Sequence, residues 1–311
     1  SYKVVTASAL DREQASEHRV TVVARDRGRP ALWSRAELAL EVSDVNDNAP
    51  VFEEAAYSAY VAENNAAGAL VLRVQARDAD AGANGRVSYW LAGGSAGAAG
   101  AAPLVSVEAR SGALYAQRSL DYEQCREFAV AVRAQDGGAP ARSSTATVRV
   151  FVLDRNDNAP RVLWPAAGAA ELRMSETTAP RSRLPLPDAH DPDSGRNSLQ
   201  SYELSGDEHF SLAVQAGPGG DQRPELVLAK ALDREEAAFH ELVLRASDGG
   251  DPARTGTARI RVTVLDANDN APVFSQVEYT VRVAEDVPVG SVLVTVTAID
   301  ADEGLYGHVK Y

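Results

Sequence analysis

The chain has 311 residues, a hydrophobic fraction of 45% and a formal net charge of −13 at pH 7. This charge argues against a nucleic-acid partner, which would need a basic stripe, and against an anionic membrane surface. Cys125 is the only cysteine, so neither disulfides nor thiolate zinc hold the fold, and no run of about 18 apolar residues could span a bilayer.

Three alternating strands, each followed by the same acidic linker, divide the chain into repeats. The segments AELALEVSD, ATVRVFVLD and ARIRVTVLD alternate with period two, which predicts strands with one buried face. Each leads into the sequence D-x-N-D-N-A-P, at 44–50, 154–160 and 266–272, where the proline ends the strand. The two intervals between these linkers are nearly equal and match the length of a single domain, so each repeat is one domain.

Further acidic residues keep fixed distances from these linkers. One aspartate precedes each linker aspartate at a constant spacing, at Asp11, Asp121 and Asp233. A second precedes it at a shorter constant spacing, at Asp26, Asp136 and Asp248. Early in each repeat a glutamate precedes the first aspartate of a D-x-D pair by a constant number of residues. The pairs of glutamate and aspartate are Glu63 and Asp78, Glu176 and Asp191, and Glu285 and Asp300. Loop lengths vary along the chain, as in GGSAGAAGAA, which we interpret as a flexible hairpin connection. The acidic residues nevertheless keep their spacing, which a merely solvated acidic surface would not require.

Fixed carboxylates where two sandwiches meet indicate calcium sites, because calcium takes about six to eight oxygen ligands. At the middle junction we expect one shared set of ligands: Glu63, Asp121, Glu123, Asp154, Asn156, Asp157 and Asn158, with Asp191, Asp193 and Asp248 from the next repeat. An EF-hand is excluded because its sixth position requires glycine. That position is Ala49, Ala159 or Ala271 here, and the flanking segments are strands.

The motifs D-x-N-D-N-A-P, L-D-R-E, D-x-D and A-x-D-x-G at this period resemble cadherin extracellular repeats. The resemblance implies an all-β chain of tandem Greek-key, seven-stranded sandwiches arranged end to end, with about three Ca²⁺ ions at each complete junction. It implies repeat boundaries at 1–47, 48–157, 158–269 and 270–311, where the first and last segments are partial repeats.

The same resemblance extends the ligand prediction to all three junctions. At the first it implies Asp11, Glu13, Asp44, Asn46, Asp47, Asn48, Asp78, Asp80, Asn84 and Asp136. At the middle junction it adds Asn197. At the third it implies Glu176, Asp233, Glu235, Asp266, Asn268, Asp269, Asn270, Asp300 and Asp302. Tyr306 replaces the asparagine seen at Asn84 and Asn197, a change that matters little if the position contributes a backbone carbonyl.

Finer features are similar to the clustered protocadherins. The segment YVAENNAAG and its surroundings resemble the fifth repeat of that group, whereas DPDSGRNSLQSYELS resembles the second. This order departs from the family's. Either the repeats are rearranged, or two pieces are joined near Pro165–Ala170, and the residues leave both alternatives open.

By resemblance, the function is calcium-dependent homophilic recognition between cells. The partners are the same protein on an opposing cell, in trans, and on the same membrane, in cis. The chain would be the extracellular part of a single-pass plasma-membrane protein whose span lies outside this sequence. The alternative is a calcium-stiffened spacer without homophilic contacts. An enzyme is disfavoured, because His18, His190, His209, His240 and His308 show no metal-ligand spacing and are expected on strand or loop surfaces.

Overall fold

The computed structural model describes residues 2–93, 103–163, 170–217 and 221–311. Its regular structure is entirely β within those ranges, without a helix. The strands are β1 (Glu17–Arg25), β2 (Trp33–Glu41), β3 (Val51–Phe52), β4 (Ala56–Ala62), β5 (Leu70–Arg73), β6 (Ala76–Arg77), β7 (Ser88–Leu91), β8 (Val105–Val107), β9 (Ala113–Ala116), β10 (Glu127–Gln135), β11 (Ser143–Leu153), β12 (Arg161–Val162), β13 (Ala170–Ser175), β14 (Arg183–Pro185), β15 (Ala189–His190), β16 (Leu199–Ser205), β17 (Phe210–Ala216), β18 (Gln222–Leu228), β19 (Phe239–Asp248), β20 (Thr255–Leu265), β21 (Val273–Phe274) and β22 (Ala298–Ile299).

Strands β3 to β11 form one complete sandwich. One sheet has the order β4-β11-β10-β7, with β4 and β11 parallel, and the other has the order β5-β9-β8. The short pair β3-β6 extends the first and second strands of the sandwich. If β3 with β4, and β5 with β6, are counted as interrupted strands, the sandwich has the seven strands that the repeat pattern predicts.

Strands β12 to β20 repeat this topology. The sheets have the orders β13-β20-β19-β16 and β14-β18-β17, and β12 pairs with β15. The hairpin β1-β2 and the pair β21-β22 match the corresponding parts of the two complete sandwiches. The predicted all-β fold of cadherin-type sandwiches is therefore confirmed.

Alternating valines, leucines and isoleucines build each core. In β11, Val148, Val150 and Val152 are buried, while the alternating residues Thr147 and Arg149 face solvent. Because successive strand residues point to opposite faces, one side of the sheet packs inward. The core of the second sandwich is similar and centres on Leu226, Leu228, Leu242, Leu244, Ile260 and Val262.

The strand register repeats with the same period as the acidic linkers. Glu17 faces Glu41 in β1-β2, and Glu127 faces Phe151 in β10-β11. Phe239 faces Thr263 in β19-β20. These three pairs are separated along the chain by the same two intervals that separate the linkers. Each linker therefore leaves its sandwich at an equivalent point of the last strand.

Contacts divide the chain into two compact units, Ser1–Arg155 and Asn156–Tyr311. Each unit holds one complete sandwich together with acidic linker residues. Two predictions lie outside the described residues: most of the GGSAGAAGAA connection, at 94–102, and the joining point near Pro165–Ala170, of which 165–169 is not described.

Candidate metal centres

At the first linker, Asn48 docks onto the D-x-D pair of the complete sandwich. The Asn48 side-chain amide donates to Asp80 Oδ1 at 2.7 Å, and its backbone NH donates to Asp80 Oδ2 at 3.3 Å. Asp78 Oδ1 in turn accepts the backbone NH of Asp80 at 3.0 Å. One ligand atom each from Glu13, Asp47 and Asp80 lie within 4.8 Å of one another. Residues far apart in sequence thus converge on one acidic group.

Asp44, the first residue of this linker, is held by three donors. It accepts the backbone NH of Ala81 at 3.0 Å and the Asn84 amide at 2.9 Å. Arg12 Nε donates to its other oxygen at 2.6 Å. Desolvation acts to raise the pKa of Asp44, but these hydrogen bonds outweigh it and lower the pKa. Asp44 is therefore ionised at neutral pH and available to a cation.

The loop after the aspartate at position 136 receives the linker asparagine. Asn46 donates its amide to the Pro140 carbonyl at 2.7 Å, which directs Asn46 Oδ1 away from that carbonyl. A Cβ at Gly138 would lie 2.2 Å from Asn46 Nδ2, so only glycine leaves room for this side chain. Asp136 stabilises the loop by accepting the backbone NH groups of Gly138 and Arg142 at 3.1 and 3.0 Å.

The residues predicted for the middle junction fall into two groups, one in each unit. In the first unit Glu63 is 1% exposed and accepts the backbone NH groups of Tyr122 and Arg155 at 2.8 and 2.6 Å. Ligand atoms of Glu63, Glu123 and Asp154 lie within 4.8 Å of one another. The glutamate therefore ties the start of the sandwich to the linker at its end.

The second unit repeats the docking seen at the first linker. The Asn158 amide donates to Asp193 Oδ1 at 2.7 Å, and the Asp193 NH donates to Asp191 Oδ1 at 3.2 Å. Asn156 donates to the Pro252 carbonyl at 2.8 Å, next to the loop that Asp248 stabilises. Because equivalent residues make equivalent contacts in successive repeats, the spacing of the sequence encodes one geometry.

At the third linker Glu176, 6% exposed, takes the role of Glu63. It accepts the backbone NH groups of Arg234 and Ala267 at 2.8 and 2.5 Å. Its ligand atoms lie within 4.8 Å of those of Asp233 and Glu235. The early glutamate thus joins its linker in both complete sandwiches.

The D-x-D pair of the third linker is arranged as at the first. Asn270 donates its amide to Asp302 at 2.9 Å, and Asp300 accepts the Asp302 NH at 3.1 Å. Asp266 accepts the Glu303 NH at 2.9 Å, as Asp44 accepts that of Ala81. The third linker thus assembles its acidic residues in the same way.

Several buried oxygens of these groups accept no hydrogen bond. They include Asn46 Oδ1, Asp78 Oδ2, Asn156 Oδ1, Asp191 Oδ2, Asp248 Oδ2, Asp266 Oδ1 and Asp302 Oδ2. A buried polar atom without a partner costs about 1–3 kcal/mol. Carboxylate and amide oxygens are the ligands that calcium prefers, so the donor set fits this ion.

The carboxylates also repel one another. Burial raises the pKa of Asp78, and the neighbouring charges of Asp80 and Asp136 raise it further. Burial likewise raises the pKa of Asp191, with added repulsion from Asp193 and Asp248. A divalent cation would remove this repulsion, because it attracts every carboxylate of the group at once.

The structure places most of the predicted ligands beside their own linker. Three aspartates cap the turn that precedes the hairpin of their repeat: Asp11, Asp121 and Asp233 each accept the backbone NH of the residue three positions later.

Asn268 differs from Asn46 and Asn156 because it is exposed, and no Asp-Gly-Gly loop follows it in this sequence. The side chain of Asn84 donates to Asp44, an interaction separate from the backbone carbonyl that this position would offer to calcium. Calcium ligation by each of these residues stays a prediction.

Three tyrosines that the sequence analysis did not single out support the D-x-D pairs. The hydroxyl of Tyr89 accepts the Ala76 NH at 2.8 Å, that of Tyr202 accepts the Ala189 NH at 2.6 Å, and that of Tyr311 accepts the Ala298 NH at 2.9 Å. Each alanine lies two residues before the first aspartate of the pair. The spacing from that aspartate to the tyrosine is the same in all three repeats, so the sequence could have predicted this role.

Arg12 is a further residue that was not singled out. Its guanidinium contacts Asp44, Glu13 and the Ala79 carbonyl at 2.6–2.7 Å, among predicted calcium ligands. The equivalent residue is Arg234 at the third linker but Tyr122 at the middle one. The first linker therefore carries a positive charge that the middle one lacks at this position.

Arg12→Tyr should strengthen calcium binding at the first linker by about threefold to tenfold, because the positive charge of Arg12 lies among the predicted ligands and repels a cation. The side-chain amide signals of Asn48 and Asn84, followed by NMR during a calcium titration, report this site. Arg19→Tyr, on the exposed face of β1, is the control and should leave the titration unchanged. Equal affinity in the wild type and Arg12→Tyr would contradict the electrostatic role.

The chain thus combines tandem seven-stranded β-sandwiches with clusters of carboxylate and amide oxygens at their linkers, as expected of a calcium-binding repeat protein. A family model described as "Cadherin domain" matches residues 57–153 and 171–265. The chain belongs to the cadherin family.

Similar proteins are protocadherins. Protocadherin gamma-B6 of Homo sapiens is 42% identical over 273 residues, which cover 85% of this chain and 28% of that protein. Protocadherin-16 of Homo sapiens is 41% identical over 305 residues, 97% of this chain and 9% of that protein. The chain therefore spans well under half the length of these relatives.

Solved structures agree in fold. The extracellular domain of protocadherin GammaB4 superimposes with a TM-score of 0.82 at 34% identity, covering 96% of this chain and 45% of that one. The "EC3-6 cis-dimer structure" of protocadherin gammaB7 gives 0.75 at 41% identity, covering 83% and 61%. The family consists of calcium-dependent adhesion proteins and not of enzymes. Within the described ranges, no helix has the length and apolarity to cross a membrane.

Proposed function

We propose that this chain is a segment of the extracellular part of a single-pass plasma-membrane protein, and that its calcium-bound linkers hold cadherin repeats in a defined geometry for homophilic recognition. The recognition is between copies on opposing cells, in trans, and on the same membrane, in cis. The repeats are bounded at 47/48, 157/158 and 269/270. Each complete junction binds about three calcium ions through the residues predicted above.

The observation that carries this proposal is the set of buried, unpartnered oxygens at all three linkers. They belong to constant positions of one repeat and lie among carboxylates that repel one another. Calcium would satisfy the oxygens and cancel the repulsion, and it would tie the linker to the flanking sandwich. Homophilic contact is supported by family membership and by the relative whose structure is described as a cis-dimer.

Sedimentation velocity with calcium and with chelator tests the calcium-dependent geometry. Asp136→Asn should lose much of the change in sedimentation that calcium produces, because it removes a predicted ligand but keeps an acceptor for the loop. Asp26→Asn is the matched control, since Asp26 accepts the equivalent backbone NH groups of Gly28 and Leu32 in the first hairpin. A sedimentation coefficient that is independent of calcium in the wild-type protein would refute the proposal.

Bead aggregation tests homophilic recognition separately. Beads coated with the whole extracellular part of the protein that contains this chain should cluster in calcium and disperse in chelator. Beads that carry a calcium-responsive segment, shown by the sedimentation change, but never cluster would indicate a spacer without homophilic contacts.

A further inference from the structure

Asp207, His209 and His240 form a compact group that the calcium sites do not include. His240 was expected on a strand or loop surface, and this expectation is wrong: it is 5% exposed at the start of β19. Its ring packs edge-on against Phe210 at 5.5 Å between centroids and lies 4.9 Å from the ring of His209. The spacing analysis missed the group because β19 brings His240 beside a turn that lies much earlier in the sequence.

One carboxylate joins the two imidazoles. Asp207 Oδ1 lies 2.6 Å from His209 Nδ1, and Asp207 Oδ2 lies 2.8 Å from His240 Nδ1. Burial acts to raise the pKa of Asp207, but hydrogen bonds from the His209 backbone and from both rings outweigh it and lower the pKa. The carboxylate is therefore ionised at neutral pH, while the second nitrogen of the buried ring, His240 Nε2, has no hydrogen-bond partner.

The backbone holds these side chains in place before any ligand binds. Gly206 has φ = 133°, and a Cβ there would lie 2.5 Å from the Glu241 carbonyl oxygen, so the turn requires glycine. Asp207 Oδ1 accepts the backbone NH of His209 at 2.8 Å, and the His209 carbonyl accepts the Ala229 NH at 2.7 Å. The group is thus fixed between β16, β17 and β19, as a preorganised site requires.

We propose that Asp207, His209 and His240 bind a divalent transition-metal ion, with Zn²⁺ as the representative. One ligand atom from each residue lies within 4.8 Å of the others, so small side-chain rotations bring all three onto one ion. Two imidazoles and one carboxylate are ligands typical of zinc, copper and nickel, whereas calcium takes oxygens alone. Three protein ligands leave the remaining coordination position to water.

The charge and the access also suit a cation. The ionised Asp207 gives the group one negative charge when both rings are neutral, and an ion bound at Nδ1 of a ring moves the proton of that nitrogen to Nε2. The side chains of His209 and Asp207 are 23% and 30% exposed, so an ion can enter from solvent.

The repeats supply matched variants. The residue equivalent to His240 is Phe128 in the preceding sandwich, where it packs against the core, and His18 in the first hairpin. His240→Phe therefore introduces a ring that this fold already accommodates at the same position. His18→Phe makes the same change outside the group.

The test is zinc binding to the whole chain in saturating millimolar calcium, measured by isothermal titration calorimetry and by the visible spectrum of the Co²⁺ form. We expect one zinc equivalent in the wild type, at least tenfold weaker binding in His240→Phe and Asp207→Asn, and unchanged binding in His18→Phe. The tetrahedral Co²⁺ bands should vanish with the same two variants.

Absence of a zinc equivalent in the wild type, or undiminished binding in both cluster variants, would overturn the proposal. If His240→Phe does not fold, as judged by thermal melting in calcium, His209→Ala at the more exposed ring replaces it. This variant should also bind zinc at least tenfold more weakly than the wild type. Because calcium saturates the linkers throughout, the result is independent of the proposed calcium sites.

Discussion

Glu63→Ala is expected to lower the free energy of unfolding of the first unit by about 2–4 kcal/mol in chelator. The substitution leaves the backbone NH groups of Tyr122 and Arg155 without their carboxylate acceptor, at about 1–2 kcal/mol each. The loss should grow in calcium, because the variant also lacks a predicted ligand and gains less from the ion. Urea unfolding with calcium and with chelator measures both effects.

Glu53→Ala is the control for Glu63→Ala. Glu53 lies on the surface in an exposed ion pair with Arg77, which is worth about 0–1 kcal/mol. It should unfold close to the wild type under both conditions. A Glu63→Ala protein with wild-type stability in chelator would show that this buried carboxylate does not hold the linker to the sandwich.

Gly138→Ala is expected to weaken calcium binding at the first linker at least tenfold, although it substitutes none of the predicted ligands. The new methyl group would lie 2.2–2.3 Å from the Asn46 amide, so Asn46 must leave its place beside Pro140. Asn46 Oδ1, a predicted ligand atom that has no hydrogen-bond partner in this place, would then leave its present position. Calorimetric titration with calcium measures the loss.

Gly28→Ala is the matched control for Gly138→Ala. Gly28 occupies the equivalent position of the first hairpin, but its nearest neighbour to a Cβ is the Pro30 carbonyl oxygen at 3.3 Å, and no linker asparagine packs there within the described structure. It should bind calcium like the wild type. Equal weakening by both substitutions would indicate a general backbone effect rather than displacement of Asn46.

The sequence was sufficient to predict the sandwich fold and the grouping of acids, because both depend on periodic patterns. Period two placed Val148 and Val150 in the core, and constant offsets brought Asp80 to the linker that contains Asp47. The linker pattern occurs three times, so the repeats of this chain can be aligned with one another. Their constant positions are then visible without any other protein.

What escaped prediction depends on contacts that occur once or on small residues. The pairing of His240 with Asp207 follows from how β19 passes the turn after β16, and no neighbouring repeat has the same pair of residues in the described structure. Gly138 matters through the space it leaves to Asn46, which composition does not reveal. Arg12 carries a charge opposite to its surroundings, so a search for acids passed over it.

The parallel pairing of β4 with β11 has a mechanical consequence. The ladder runs from Ala56 opposite Thr147 to Ala62 opposite Leu153, and β13 with β20 repeats it. Tension along the chain enters the sandwich near the start of β4 and leaves it at the end of β11. Because the strands are parallel, that tension loads their hydrogen bonds in shear, so they must break together rather than one after another. Each sandwich should therefore withstand a higher pulling force at its ends than a hairpin whose hydrogen bonds break one at a time.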